Sequence, residues 1–267
     1  MPAPTQECRE EVLKRASSRE ERWSLPGEFY SESSVYEAEL DAIWRSGWLF
    51  IAHSCEVSAP GDFLTYQVGP DPLVFVRGDD GSLRGFHNVC RHRGTRLCRE
   101  ASGNVDELEC PYHGWRYRRD GVLSSCRGMG GNVTPGETTL QPVHIEELGG
   151  MIFASLAESP PEFGPARELL MPQLMPQGLE HAKVAKTVEY DVPVNWKLIW
   201  ENNRECYHCN QNHPQYILAN YDHHNSDDTS DELREGIVAA QDRHNLALES
   251  AGIAVSHGDT GMALFPD

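Results

Sequence analysis

Short runs of alternating apolar and polar residues, each closed by a turn, fill the first half of this chain. GWLFIAH, DFLTYQV, PLVFVRG and SLRGFHN read as β-strands separated by Pro-Gly, Gly-Pro-Asp-Pro and Gly-Asp-Asp-Gly turns. WRYRRDGVLSS adds a hairpin with Asp120-Gly121 at its turn, and runs near His144 and over Gly150 to Ser155 close an antiparallel all-β domain that begins near Gly47. Ahead of it the period is helical. Thr5 to about Ala16 forms a short charged helix with little apolar surface, expected to be peripheral. Ser34, with Glu37 three residues on, makes a capping box for a helix carrying Tyr36, Leu40, Ile43 and Trp44 on one face, with Gly47 as its stop.

The second half is less regular. Ala157 to Pro176 is rich in proline and glutamate and reads as a linker. KVAKTVEYDVPV then looks like a strand that runs into a helix from about Trp196. Thr229 with Glu232 gives a second capping box, ahead of Leu233, Ile237, Ala240, His244 and Leu248 on one helical face that ends at Gly252. The polar stretch YDHHNSDDTSD between these helices reads as a loop. No internal repeat is present. The expected organisation is α+β: a helical segment over 1–46, the all-β domain over 47–156, and a second domain over 157–267.

Charge narrows the partners. The chain has 267 residues, with 41 acidic against 23 basic, a net charge of −18 with histidines neutral. Such an excess repels nucleic acid and anionic membrane, and attracts cations or a basic partner. The start, MPAPTQECREEVLKRA, is polar and charged, and no run of eighteen apolar residues occurs. A cytoplasmic location is therefore expected, where the eight cysteines would serve as metal ligands rather than as a disulfide framework.

The chemistry concentrates in NVCRHRGTRLCREASGNVDELECPYHGW. Cys90 and His92 stand one residue apart, Cys110 and His113 two apart, with a seventeen-residue spacer between the pairs. Four such ligands on one ion would suit zinc, but a one-residue gap is tighter than a structural zinc knuckle. A binuclear iron–sulfur cluster fits better, each loop giving its cysteine to one iron and its histidine to the other. Gly94 and Gly114 suit tight loops whose amides approach the sulfurs. Cys98 and Cys126 have no place in this set and read as small buried or free thiols, with an accessory disulfide as the alternative. With Arg93, Pro111, Tyr112 and Trp115 beside these residues, the stretch resembles the Rieske [2Fe–2S] proteins.

A second constellation lies in NWKLIWENNRECYHCNQNHPQY. Glu201, Glu205 and His208 fall on one side of a helix. His213 comes five residues after His208, about 140° round an ideal helix, so a straight helix cannot aim both imidazoles at one ion. Pro214 disfavours helical geometry at His213 and lets that ring return. Two helical histidines alone are more often structural. Together with the cysteine–histidine loops, however, E-C-Y-H-x4-H-P resembles the mononuclear iron motif of the Rieske non-haem iron oxygenases, large subunit, from about Tyr30 to the end of the chain.

That resemblance implies an antiparallel Rieske domain followed by the N-terminal part of a helix-grip-like α+β catalytic domain. It implies that His208 and His213 hold Fe(II) within a 2-His-1-carboxylate triad open to O2. It also implies that Glu205 links the cluster of one chain to the iron of the next, in a homotrimer fed from NAD(P)H by a ferredoxin-type flavin and iron–sulfur reductase. The family's third iron ligand is an aspartate expected beyond residue 267. Asp222, Asp227, Asp228, Asp231, Asp242 and Asp259 lack its context and are assigned nothing. Glutamate at position 205 resembles the branch that hydroxylates or N-demethylates quaternary amines such as glycine betaine, carnitine or choline. Trp200, Tyr207, Tyr216 and Tyr221 are candidates for an aromatic cage, though each reads first as a core residue. Two other readings stay open: an aromatic-ring hydroxylating dioxygenase large subunit, and a truncated electron-transfer protein without oxygenase activity.

Overall fold

The computed structural model describes residues 6–19, 24–126, 133–204, 208, 212, 213, 215 and 230–250. The chain divides into two compact units, Met1–Tyr190 and Asp191–Asp267.

In the first unit, helix α1 (Gln6–Ser17) and helix α2 (Ser33–Glu39) share a small core of Val12, Phe29, Val35 and Ala38. Helix α1 is thus less peripheral than its charge implies, because Val12 is buried. The capping box expected at Ser34 is not formed. Helix α2 begins two residues earlier, with Glu32 at the N-cap, and the Ser34 hydroxyl donates to the Glu32 carboxylate at 3.4 Å. The helix runs on through a π-turn, Leu40–Trp44, and ends where expected, the Gly47 amide meeting the Ile43 carbonyl at 3.2 Å.

The alternating runs form ten strands: β1 (Leu49–His53), β2 (Asp62–Val68), β3 (Asp71–Arg77), β4 (Leu83–His87), β5 (Ser102–Asn104), β6 (Leu108–Glu109), β7 (Arg116–Tyr117), β8 (Leu123–Ser125), β9 (Pro142–Leu148) and β10 (Met151–Ser155). Seven of them make one antiparallel sheet in the order β1-β10-β9-β4-β3-β2-β5, and β6-β7-β8 make a second. Strand β3 shows why the sheet has two covered faces. Leu73 and Phe75 enter a cluster with Ile51, Leu64 and Ile152, whereas Val74 and Val76 enter another with Phe63, Phe86, Trp115, Tyr117 and Leu123. Successive side chains on a strand point to opposite faces, so a strand buried from Leu73 to Arg77 reads as a continuous apolar run. The buried Arg77 closes that strand. Its guanidinium donates to the Val57 and Gly81 carbonyls and pairs with Glu147 at 3.2 Å.

The stretch expected as a linker contains helix α3 (Gly164–Leu174), with Pro165 in its first turn where a missing amide costs nothing. The chain ahead of α3 is held to the sheet by the Trp48 indole, which donates to the Pro161 carbonyl at 2.8 Å and meets Phe163 edge-on. The strand expected over 183–194 is not formed. The backbone there carries no ladder, and Val184, Val188, Tyr190, Val192 and Val194 are exposed. Alternation alone does not make a strand, because a ladder needs a partner, and none of the described strands pairs with this run. The second unit contains helix α4 (Trp196–Arg204) and helix α5 (Asp231–Ser250). Thr229 and Gly252, the expected limits of the latter, lie outside the described residues. No described helix is long and apolar enough to cross a membrane.

Candidate functional site

The two cysteine–histidine loops are built alike. In each, the cysteine amide donates to the carbonyl five residues on: Cys90 to Thr95 at 2.8 Å, and Cys110 to Trp115 at 2.7 Å. In each, the glycine amide returns to the cysteine carbonyl, Gly94 to Cys90 at 2.9 Å and Gly114 to Cys110 at 3.0 Å. Both glycines hold φ near +70°, at 74° and 66°, a region that side chains with a Cβ avoid. The histidine falls two residues after the cysteine in one loop and three in the other, yet the His92 and His113 rings meet with centroids 4.7 Å apart.

Thiols and imidazoles segregate. Cys90 and Cys110 are buried in the core cluster with Leu97, Leu108 and Trp115. His113 is exposed and His92 partly so. Trp115 stacks flat on His92, with centroids 4.9 Å apart and planes 6° apart, and Tyr112 lies against His113 at 3.8 Å. An inner sulfur pair and an outer nitrogen pair suit a two-iron cluster with both cysteines on one iron and both histidines on the other.

The electrostatics follow from this layering. Burial pushes the Cys90 thiol up, against the hydrogen bond from Tyr117 that favours the thiolate. Burial, then the neighbouring His113 and Arg93 charges, push His92 down, so its imidazole is neutral and a lone pair is available to a metal. Two supporting residues escaped the sequence reading. The Tyr117 hydroxyl lies 3.3 Å from Cys90 Sγ and accepts the Arg91 amide at 3.1 Å. Asn88, 1% exposed, ties the first loop together: Oδ1 accepts the Leu97 and Cys98 amides, and Nδ2 donates to the Cys98 carbonyl at 2.7 Å. Their signal was only proximity, two residues past Trp115 and two before Cys90. Cys98 and Cys126 are free thiols, as are Cys55, Cys90 and Cys110.

In the second unit His208 and His213 come together. Helix α4 ends at Arg204, and the Asn212 amide donates to the His208 carbonyl at 3.0 Å. His213 stands outside helical geometry, and the two rings sit edge to face with centroids 5.5 Å apart. Glu205 lies outside the described residues, as do Pro214 and the cage candidates Tyr207, Tyr216 and Tyr221. Trp200 is exposed on helix α4 rather than in a core.

Residues 47–135 match the Rieske [2Fe–2S] domain family, and residues 179–244 match the ring-hydroxylating alpha subunit catalytic domain. The chain is 39% identical over 243 residues to the glycine betaine monooxygenase oxygenase subunit of Chromohalobacter salexigens, covering 90% of this chain and 55% of that protein. It is 37% identical to the same subunit of Pseudomonas aeruginosa, covering 97% of this chain and 60% of that one. The chain therefore spans little more than half the length of these relatives. Among solved structures it is similar to a quaternary ammonium Rieske monooxygenase studied for carnitine oxidation and inter-subunit electron transfer. That similarity has a TM-score of 0.68 at 31% identity, over 73% of this chain and 55% of the other.

Proposed function

Because the chain belongs to the large subunits of the Rieske non-haem iron oxygenases, with their [2Fe–2S] domain and part of their catalytic domain, we propose that it acts on a small quaternary amine. It would be the oxygenase component that uses O2 and electrons from NAD(P)H to hydroxylate or N-demethylate a substrate of the glycine betaine kind. In this reading Cys90, His92, Cys110 and His113 hold the cluster, and His208 and His213 are two of the ligands to Fe(II). When bound, the cluster supplies electrons one at a time and the mononuclear iron supplies open positions for O2.

The chain's own residues prepare both places. Cys90 and Cys110 keep their sulfurs out of water while Tyr117 meets one of them with a hydroxyl. His92 and His113 put the nitrogen side of the centre at the surface, where a second body can approach. Glu205 is the carboxylate we assign to the path between a neighbouring copy's outer imidazole and His208, orienting both rings by hydrogen bonds. Such a path needs a head-to-tail ring of copies, and we take it to be a homotrimer. A flavin and iron–sulfur reductase would supply the electrons. The net charge of −18 suits a cationic substrate, and the free thiols of Cys55, Cys98 and Cys126 suit a reducing cytoplasm.

One observation carries the reading: a single chain brings two thiol–imidazole loops together with their rings 4.7 Å apart, and a separate pair of histidines with rings 5.5 Å apart. The test is NADH oxidation with a reductase of this class, offering glycine betaine, carnitine and a set of arenes. Oxidation coupled to formaldehyde release from a quaternary amine supports the proposal. Turnover with arenes alone would move the chain to the ring-hydroxylating dioxygenases.

A further inference from the structure

His53 ends strand β1 and makes polar contacts in three directions. Its amide donates to Glu56 Oε2 at 2.8 Å, its Nδ1 accepts the Cys55 amide at 3.2 Å, and its Nε2 lies 2.8 Å from the Leu179 carbonyl. The first two form a capping box over the turn Ser54–Val57. They also fix the tautomer. A ring nitrogen that accepts an amide proton carries none itself, so in the neutral ring Nε2 holds the proton and donates it to Leu179.

That bond spans 126 residues of sequence. It joins the edge strand of the cluster domain to the first residue of the turn Leu179–His181, which is also the first residue of the catalytic-domain match. The same carbonyl accepts the Ala182 amide at 2.9 Å, so the acceptor itself is held in place. The turn between β9 and β10 leaves room for the contact. The Ser54 amide donates to the Gly150 carbonyl at 2.7 Å, and a Cβ at Gly150 would run into the His53 ring and the backbone of Leu179 and Glu180. None of these residues belongs to either metal constellation.

We propose that the His53 Nε2–H anchors the start of the catalytic region to strand β1, independently of the cap that its Nδ1 provides. Two variants separate the two bonds. In His53→Asn the side-chain oxygen can still cap the turn, but the side chain is too short to reach Leu179. In His53→Gln the amide nitrogen reaches the position of Nε2, and the cap is weakened. Hydrogen–deuterium exchange of the whole chain, read by mass spectrometry, follows segments 54–57 and 179–182. His53→Asn should speed exchange at 179–182 about five-fold, the factor for a net hydrogen bond of about 1 kcal/mol, with 54–57 unchanged. His53→Gln should do the reverse, and cluster absorbance should be unchanged in both. The proposal is overturned if both segments loosen together in both variants, or if 179–182 exchanges normally in His53→Asn.

Discussion

The Tyr117 phenol oxygen sits between the Cys90 sulfur, 3.3 Å away, and the Arg91 amide, 3.1 Å away. Because the amide already donates to that oxygen, the phenol proton is left for the sulfur. Burial raises the Tyr117 pKa and so keeps the proton in place. A hydrogen bond to a cluster sulfur favours the reduced, more negative state. Tyr117→Phe should therefore lower the cluster potential, on the order of 40 mV for a bond that differs by about 1 kcal/mol between redox states. A spectroelectrochemical titration measures this, and a potential that is unchanged or higher would refute the role.

Asn88 completes the first loop from beneath. With three hydrogen bonds made by a side chain only 1% exposed, Asn88→Leu leaves two amides and a carbonyl unmet. The expected cost is about 2–4 kcal/mol. It should appear as a lower melting temperature and early loss of cluster absorbance, whereas melting within a degree of the wild type would contradict it.

Burial holds the Cys98 thiol protonated up to about 11, against an ordinary value of 9.0. Above pH 9 the unfolded chain releases a proton that the native state keeps, so stability should fall between pH 9 and 11. The loss attributable to this group is about 2–3 kcal/mol. Cys98→Ala should lack that part of the alkaline decline. Parallel urea titrations at pH 8 and 10.5 test it, and equal losses in the two proteins would exclude the thiol as the cause.

The strands and ligand loops were legible in the sequence because their signals are local. Strand β3 alternates between two cores, and Gly94 and Gly114 mark loops that need positive φ. What was not legible depends on distant partners. Ser34 and Glu37 have the right spacing for a capping box, but Glu32 takes the N-cap. The box that does form uses His53 and Glu56, a residue pair outside the usual Ser/Thr pattern though at the same spacing. The alternating run over 183–194 pairs with none of the described strands. Tyr117 gains its role only once the chain returns to Cys90, and Asn88 only once the loop brings Leu97 and Cys98 back to it.

At the second constellation, His208→Ala should abolish turnover while leaving the absorbance of the cluster intact, since His208 stands in a different unit from Cys90, His92, Cys110 and His113. Loss of the cluster spectrum in that variant would show that the two constellations are not separate centres.

The most direct test is metal and acid-labile sulfide content of the purified chain beside a His208→Ala/His213→Ala variant. About three irons and about two sulfides per chain are expected, falling to about two irons with sulfide unchanged in the variant. Zinc in place of iron, or an iron content that does not respond to loss of the two histidines, would contradict an iron site at His208 and His213.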